Sequence, residues 1–224
     1  MTAVSDLVAV VDRLLAPDSG CVWNRAQTHA SLARYAVEES YELVDAIDDG
    51  STEDLREELG DVLYQVVLHA GLAAAAGRFD LEDVAAGVRD KMVRRHPHVF
   101  GDERADTEED VVRVWRAAKA AEKAGRRSPF DGVPRAMPPL ERAVKLLERL
   151  EERGDEDAVL ASVAPQGPEA RRPSATVDRP DGVDAEWGAA LLADVAAARG
   201  AGVDPVASLR AAVSRLEAEA RAVG

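Results

Sequence analysis

At 224 residues the chain can hold one domain of ordinary size with a smaller companion, and it can bury a sizeable core. A formal charge of −14 argues against general affinity for nucleic acid or an anionic membrane, since such partners demand a concentrated basic patch. Cys21 is the only cysteine, which excludes an internal disulfide framework and a thiolate zinc cluster and points to the reducing cytoplasm.

Few aromatics, abundant alanine and helical rather than alternating periodicity predict an all-α protein. The N-terminal run carries Asp6 and Asp12 and lacks the basic start and long apolar core of a secretory signal. No apolar stretch is long enough to span a bilayer.

In chain order, Ser5 is the expected cap of a helix to Leu15 whose apolar face is Leu7, Val8, Val11, Leu14 and Leu15, broken by Pro17, Ser19 and Gly20. A loop, CVWNRAQTHASL, then concentrates Trp23, Asn24, Arg25, Gln27 and His29, groups that stack on or hydrogen-bond a planar ligand. Taken without the neighbouring acids, Trp23 reads as a packing anchor of the loop rather than a ligand platform. The next helix starts near Thr28 or Ser31 and stops at Gly50. Ser51 and Asp54 resemble a capping box for a partner running to about Ala76, and so short a break forces an antiparallel hairpin.

That hairpin carries Glu39 and Glu42 on one helix, and Glu58 and Asp61 on the other. Residues three apart share a helix face, so the two pairs can converge. Such pairs are commonly a solvated face. Here Val37, Tyr41 and Val44 flank the first, and Leu59, Val62, Leu63 and Val66 the second, so both lie at an apolar seam where acids need a partner. Converging carboxylates raise one another's pKa unless a cation sits among them, and an all-oxygen set suits Mg²⁺.

Asp80 caps a further helix that Pro97 ends, bearing Arg89, Lys91, Arg94 and Arg95. Lys91 and Arg95 share a face fit for phosphate oxygens, or else balance nearby acids as a solvent-facing stripe. His96 and His98 flank the proline, and no acid stands three residues before any of the four histidines, so they read as structural. Thr107 and Asp110 start an amphipathic helix through Val111, Val114, Trp115 and Ala118, read as packing alone. Gly125 to Pro139 reads as a connector, followed by a helix over LERAVKLLERLEER. Gly154 to Gly182 reads as a mobile linker. From Val183 two more helices follow, the second capped by Asp204 with Pro205 in its first turn. EWGAALLADV at Glu186 to Val195 lies over ELGDVLYQVV at Glu58 to Val67, with Ala189 where Asp61 stands, which suggests a duplication that has lost its acids, or chance likeness between alanine-rich helices. The division expected is 1–124, a domain with the acids; 125–182, a connector with one helix and a mobile linker; and 183–224, a degenerate partial second repeat.

Taken in order, CVWNRAQTHASL, EESYE, EELGD and KMVRRHPHVFGD resemble the MazG family of nucleoside triphosphate pyrophosphohydrolases. The resemblance implies an all-α helical bundle of the MazG-like NTP pyrophosphatase type, assembled as a homodimer whose helices complete one another's sites. It implies Mg²⁺, with Mn²⁺ as a substitute, and hydrolysis of an NTP or dNTP, ordinary or damaged, to the monophosphate and pyrophosphate as nucleotide-pool housekeeping. Glu39, Glu42, Glu58 and Asp61 would then be metal ligands, with Glu38 an additional catalytic acid. Lys91, Arg94 and Arg95 would engage the triphosphate, and Trp23, Asn24, Gln27 and His29 the base or sugar. Val22 and Asn24 depart from the family's common proline and aspartate. The competing reading is a non-catalytic nucleotide-binding or regulatory scaffold that kept the bundle.

Overall fold

The computed structural model describes residues 2–122, 128, 130–163 and 184–223. It divides into two units, Met1–Lys123 and Ala124–Gly224. Among the described residues the regular structure is entirely helical.

In the first unit, α1 (Ala3–Leu15) is capped by Thr2 rather than Ser5, because Ser5 is the answering half of a capping box. The Thr2 hydroxyl accepts from the Ser5 amide at 3.2 Å, and the Thr2 amide donates to the Ser5 hydroxyl at 2.8 Å. The predicted loop contains one helical turn, α2 (Val22–Arg25). Thr28 caps α3 (His29–Asp48), and Ser51 with Asp54 closes a capping box on α4 (Thr52–Ala75). The hairpin α3–α4 is the body of the unit, with α1 laid against α4. Val11, Leu32, Val67 and Leu68 form its core. Gly71 sets how near α1 comes: a Cβ there would meet Val11 at 2.9 Å and Leu15 at 3.0 Å.

Gly77, at φ 65°, ends α4, where the Arg78 amide reaches back to the Ala73 carbonyl at 3.0 Å. Asp80 then caps α5 (Leu81–Arg95). Pro97 stops α5 as expected and also opens a single turn, α6 (Pro97–Phe100), because a ring that cannot continue a helix suits the first position of the next. α7 (Glu108–Glu122) packs on α5 and α6.

In the second unit, α8 (Pro139–Glu151) packs on both α9 (Glu156–Val163) and α10 (Ala185–Gly200), and α11 (Pro205–Val223) follows α10. Leu147, Leu150, Ala190 and Val195 are its buried apolar side chains among the described residues. Arg199 on α10 binds Glu151 at 3.1 Å and Glu156 at 3.7 Å. α9 lies where the linker was expected to begin. Its eight residues are too few for periodicity to register in sequence, yet Val159, Leu160 and Val163 share a groove of about 670 Å³ with Leu146, Leu147 and Leu150 of α8. The remainder of the expected linker, 164–182, lies outside the described residues, as do 125–127 and 129 of the expected connector.

Candidate active site

The 49–51 turn sends α4 back along α3, so acids near the C-terminal half of α3 meet acids near the start of α4. Ligand oxygens of Glu39, Glu58 and Asp61 lie within 4.8 Å of one another. Glu42 is exposed one turn beyond Glu39, and its charge bears on both Glu39 and Glu58. The carboxyl of Glu39 is raised above its ordinary pKa, chiefly by burial and further by the charges of Asp61 and Glu42, against a lowering hydrogen bond from Gln65. Glu58 is raised by burial first, then by Glu42 and Asp61. Its Oε2 is enclosed with no hydrogen-bond partner. Glu38 is exposed on α3, where its charge bears on Arg34.

An enclosed, unpaired carboxylate oxygen beside two other carboxylates is costly in isolation and is stabilised by a cation. The donors are all oxygen, with no cysteine or histidine among them, and this fits a hard divalent ion such as Mg²⁺.

Gln65, which the sequence reading did not single out, adjoins the acids. It is 7% exposed, and its Nε2 donates to Oε1 of Glu39 at 3.3 Å. A signal was available: Gln65 is an amide in the apolar run VLYQVVL, seven residues after Glu58 and four after Asp61, hence on their face of α4. One turn further, His69 meets His29, Nδ1 to Nδ1, at 2.8 Å, while Arg78 donates to Nε2 of His29 at 2.7 Å. A guanidinium only donates, so His29 carries its proton on Nδ1 and gives it to His69.

The first loop is braced from within. Asn24 is 6% exposed and accepts from the Tyr64 hydroxyl at 3.3 Å. Gln27 donates to the Trp23 carbonyl at 2.9 Å and accepts from Ser31 at 2.7 Å. Trp23 stays about half exposed, its ring edge-on to Tyr35 at 5.7 Å.

Two of the basic side chains of α5, Arg94 and Arg95, face α7. Arg95 donates to Glu122 at 2.7 Å and Arg94 binds the same carboxylate at 3.2 Å, which holds Glu122 below the usual carboxylate range. Arg95 and Lys119 both lie over the Trp115 ring, at 5.4 and 4.6 Å. α7, read from sequence as packing alone, therefore also supplies the partner of two arginines. Lys91 makes no ion pair among the described residues.

The MazG nucleotide pyrophosphohydrolase domain is matched over residues 27–100, the stretch from Gln27 in the loop through both acid helices to the end of α6. The nucleoside triphosphate pyrophosphohydrolase of Escherichia coli K12 is 37% identical over 233 residues, spanning 100% of this chain and 88% of that protein. The nucleoside triphosphate pyrophosphohydrolase/pyrophosphatase MazG of Thermotoga maritima is 36% identical over 218 residues, 94% of this chain and 81% of its own. One from Mycobacterium tuberculosis is 42% identical over 151 residues, 66% of this chain and 45% of its own. Likeness that runs the length of the chain, together with a domain match over the hairpin that gathers the acids, makes this chain a member of the MazG family.

Proposed function

We propose that the chain is a nucleoside triphosphate pyrophosphohydrolase, converting NTPs or dNTPs, damaged or non-canonical ones among them, to the monophosphate and pyrophosphate with Mg²⁺, for which Mn²⁺ can substitute. The convergence of Glu39, Glu58 and Asp61, with an enclosed Oε2 of Glu58 lacking a partner, carries this reading. The names of the relatives support it.

Glu39, Glu42, Glu58 and Asp61 would hold the cation, and Glu38 would orient the attacking water. A cation bound there would supply a water of lowered pKa, polarisation of a phosphoryl oxygen and neutralisation of the departing pyrophosphate. Lys91, Arg94 and Arg95 neutralise the triphosphate. Trp23 offers a stacking face to the base, with Asn24, Gln27 and His29 shaping the loop that carries it.

We further propose a homodimer, in which a second copy brings its basic α5 to the acids. Half-exposed Tyr41, Leu59, Leu63 and Val66 on the acid hairpin, with Val88 and Met92 on α5, are the apolar surface such a partner would cover. Residues 1–124 would be the catalytic domain, 125–182 a connector and 183–224 a degenerate partial second repeat.

The engagement of Arg94 and Arg95 by Glu122 favours the rival reading of a non-catalytic nucleotide-binding scaffold, since a triphosphate must displace that carboxylate. A nucleotide panel with Mg²⁺, read out as monophosphate plus pyrophosphate, decides between them. No turnover from folded, dimeric protein across the panel would leave the scaffold standing.

A further inference from the structure

Among the described residues, Gln65 is the one side chain beside the acids that is both enclosed and only half satisfied. Its amide nitrogen reaches across from α4 to Glu39 on α3, and its Oε1 is enclosed without a partner. An amide can present either end to a neighbour, and only the NH₂ end suits an ionised carboxylate, which accepts and cannot donate. The contact therefore presents the donating end of the amide to Glu39, the end that suits a ligating carboxylate.

Burying an amide with one end unmet costs about 1–3 kcal/mol, whereas an apolar residue of that size in the run VLYQVVL would cost nothing of the kind. Packing alone does not account for a glutamine here.

We infer that Gln65 is a positioning residue of the acid cluster: its Nε2, reaching across the hairpin, holds the Glu39 carboxylate in place for the ion. The inference rests on the proposal that the cluster binds a divalent cation. Partners that orient a metal ligand change affinity by about 10–100-fold when removed.

The test is Mn²⁺ binding by the full-length chain without nucleotide, followed by calorimetry or by the free-ion electron paramagnetic resonance signal, with thermal unfolding of the metal-free protein alongside. Gln65→Met, close in length and apolar, is expected to bind Mn²⁺ at least about tenfold more weakly while its metal-free melting temperature is unchanged or higher. Gln65→Asn, which keeps the amide one methylene short, should fold and fall between the two. Wild-type affinity in a folded Gln65→Met or Gln65→Asn protein overturns the role of Gln65 and leaves the cation site intact. A wild-type chain that binds no Mn²⁺ overturns the cation site and the role of Gln65 with it.

Discussion

Both α4 and α10 end on a glycine in the left-handed region, Gly77 and Gly202, and each gives way to a helix capped by an aspartate, Asp80 and Asp204. The closing bonds match: Arg78 to Ala73 at 3.0 Å, Val203 to Ala198 at 2.9 Å. Counting from Glu58 and Glu186, the ninth residue on is buried in each, Val67 at 1% and Val195 at 6%. Leu59 with Leu63, and Trp187 with Leu191, are exposed at matching positions. What differs is the polar face, since Ala189 and Ala193 stand where Asp61 and Gln65 stand. Caps, stops and apolar spacing build both helix pairs, and two polar positions on one face set the first apart. The same helix pair stands without them, because polar groups at an apolar seam add nothing to packing and are costly without a partner.

The sharpest way to break that comparison is to remove acids from each pair. Glu58→Gln or Asp61→Asn should lower pyrophosphate release by about 1,000-fold or more, the scale of several kcal/mol of charge stabilisation supplied through a bound metal. Glu186→Gln in α10 should leave the rate unchanged. Comparable losses at Glu58 and Glu186 in a steady-state assay would mean that the second pair is not the inert one.

How the helices begin and stop was largely legible, because capping is a short-range matter: Thr28, Ser51 with Asp54, Asp80 and Asp204 could each be read from their next few residues. The acid spacing was equally local. What escaped were contacts between elements. Gln65 meets Glu39 across 26 positions, and Glu122 meets Arg95 across 27. Asn24 is buried and accepts from Tyr64, 40 residues on. No periodicity encodes such pairings. Periodicity also needs length, which eight-residue α9 lacks.

Core truncations sharpen the comparison next. Leu68→Ala and Leu147→Ala each remove a side chain at most 2% exposed, so each should cost about 2–5 kcal/mol in denaturant unfolding. Only Leu68→Ala should also lower activity, since α4 carries the acids. A Leu147→Ala protein that remains folded but is inactive would show that the second unit supports the site.

Divalent ions should separate the regions by a similar or smaller amount. With Mg²⁺ about 100-fold above its dissociation constant, the stabilisation is about 2.7 kcal/mol. Hydrogen-exchange protection should rise in α3–α4 and not in α10–α11. The sign with pH follows from the raised carboxyls. Folded Glu39 and Glu58 hold protons more tightly than their ordinary value of 4.5 implies, so their contribution to metal-free stability grows as pH falls from neutral through the raised values toward 4.5. Asp54, Asp90, Asp110 and Glu122, all lowered, act oppositely as pH falls through their folded values. Protons compete with the ion, so the melting-temperature gain from Mg²⁺ should shrink in mild acid. A gain that is constant with pH would detach it from these carboxylates.

The smallest effect tests how alike the two scaffolds are. Asp80 accepts from the Asp83 amide at 3.0 Å, and Asp204 from the Val206 and Ala207 amides at 2.9 and 3.0 Å. Replacing either by alanine should cost about 1 kcal/mol, the usual loss of an N-cap. The loss should be expressed differently. α5 is held by α4, α6 and α7, so Asp80→Ala should lower the melting temperature of its unit as a whole. The main neighbour of α11 is α10, and its Leu209, Val213 and Leu216 are exposed, so Asp204→Ala should fray α11 locally. Amide exchange distinguishes the two: faster exchange confined to the first turns of α11 is expected for Asp204→Ala. A uniform loss of protection through α8 and α10 would mean that α11 is as integral to its unit as α5 is to the other.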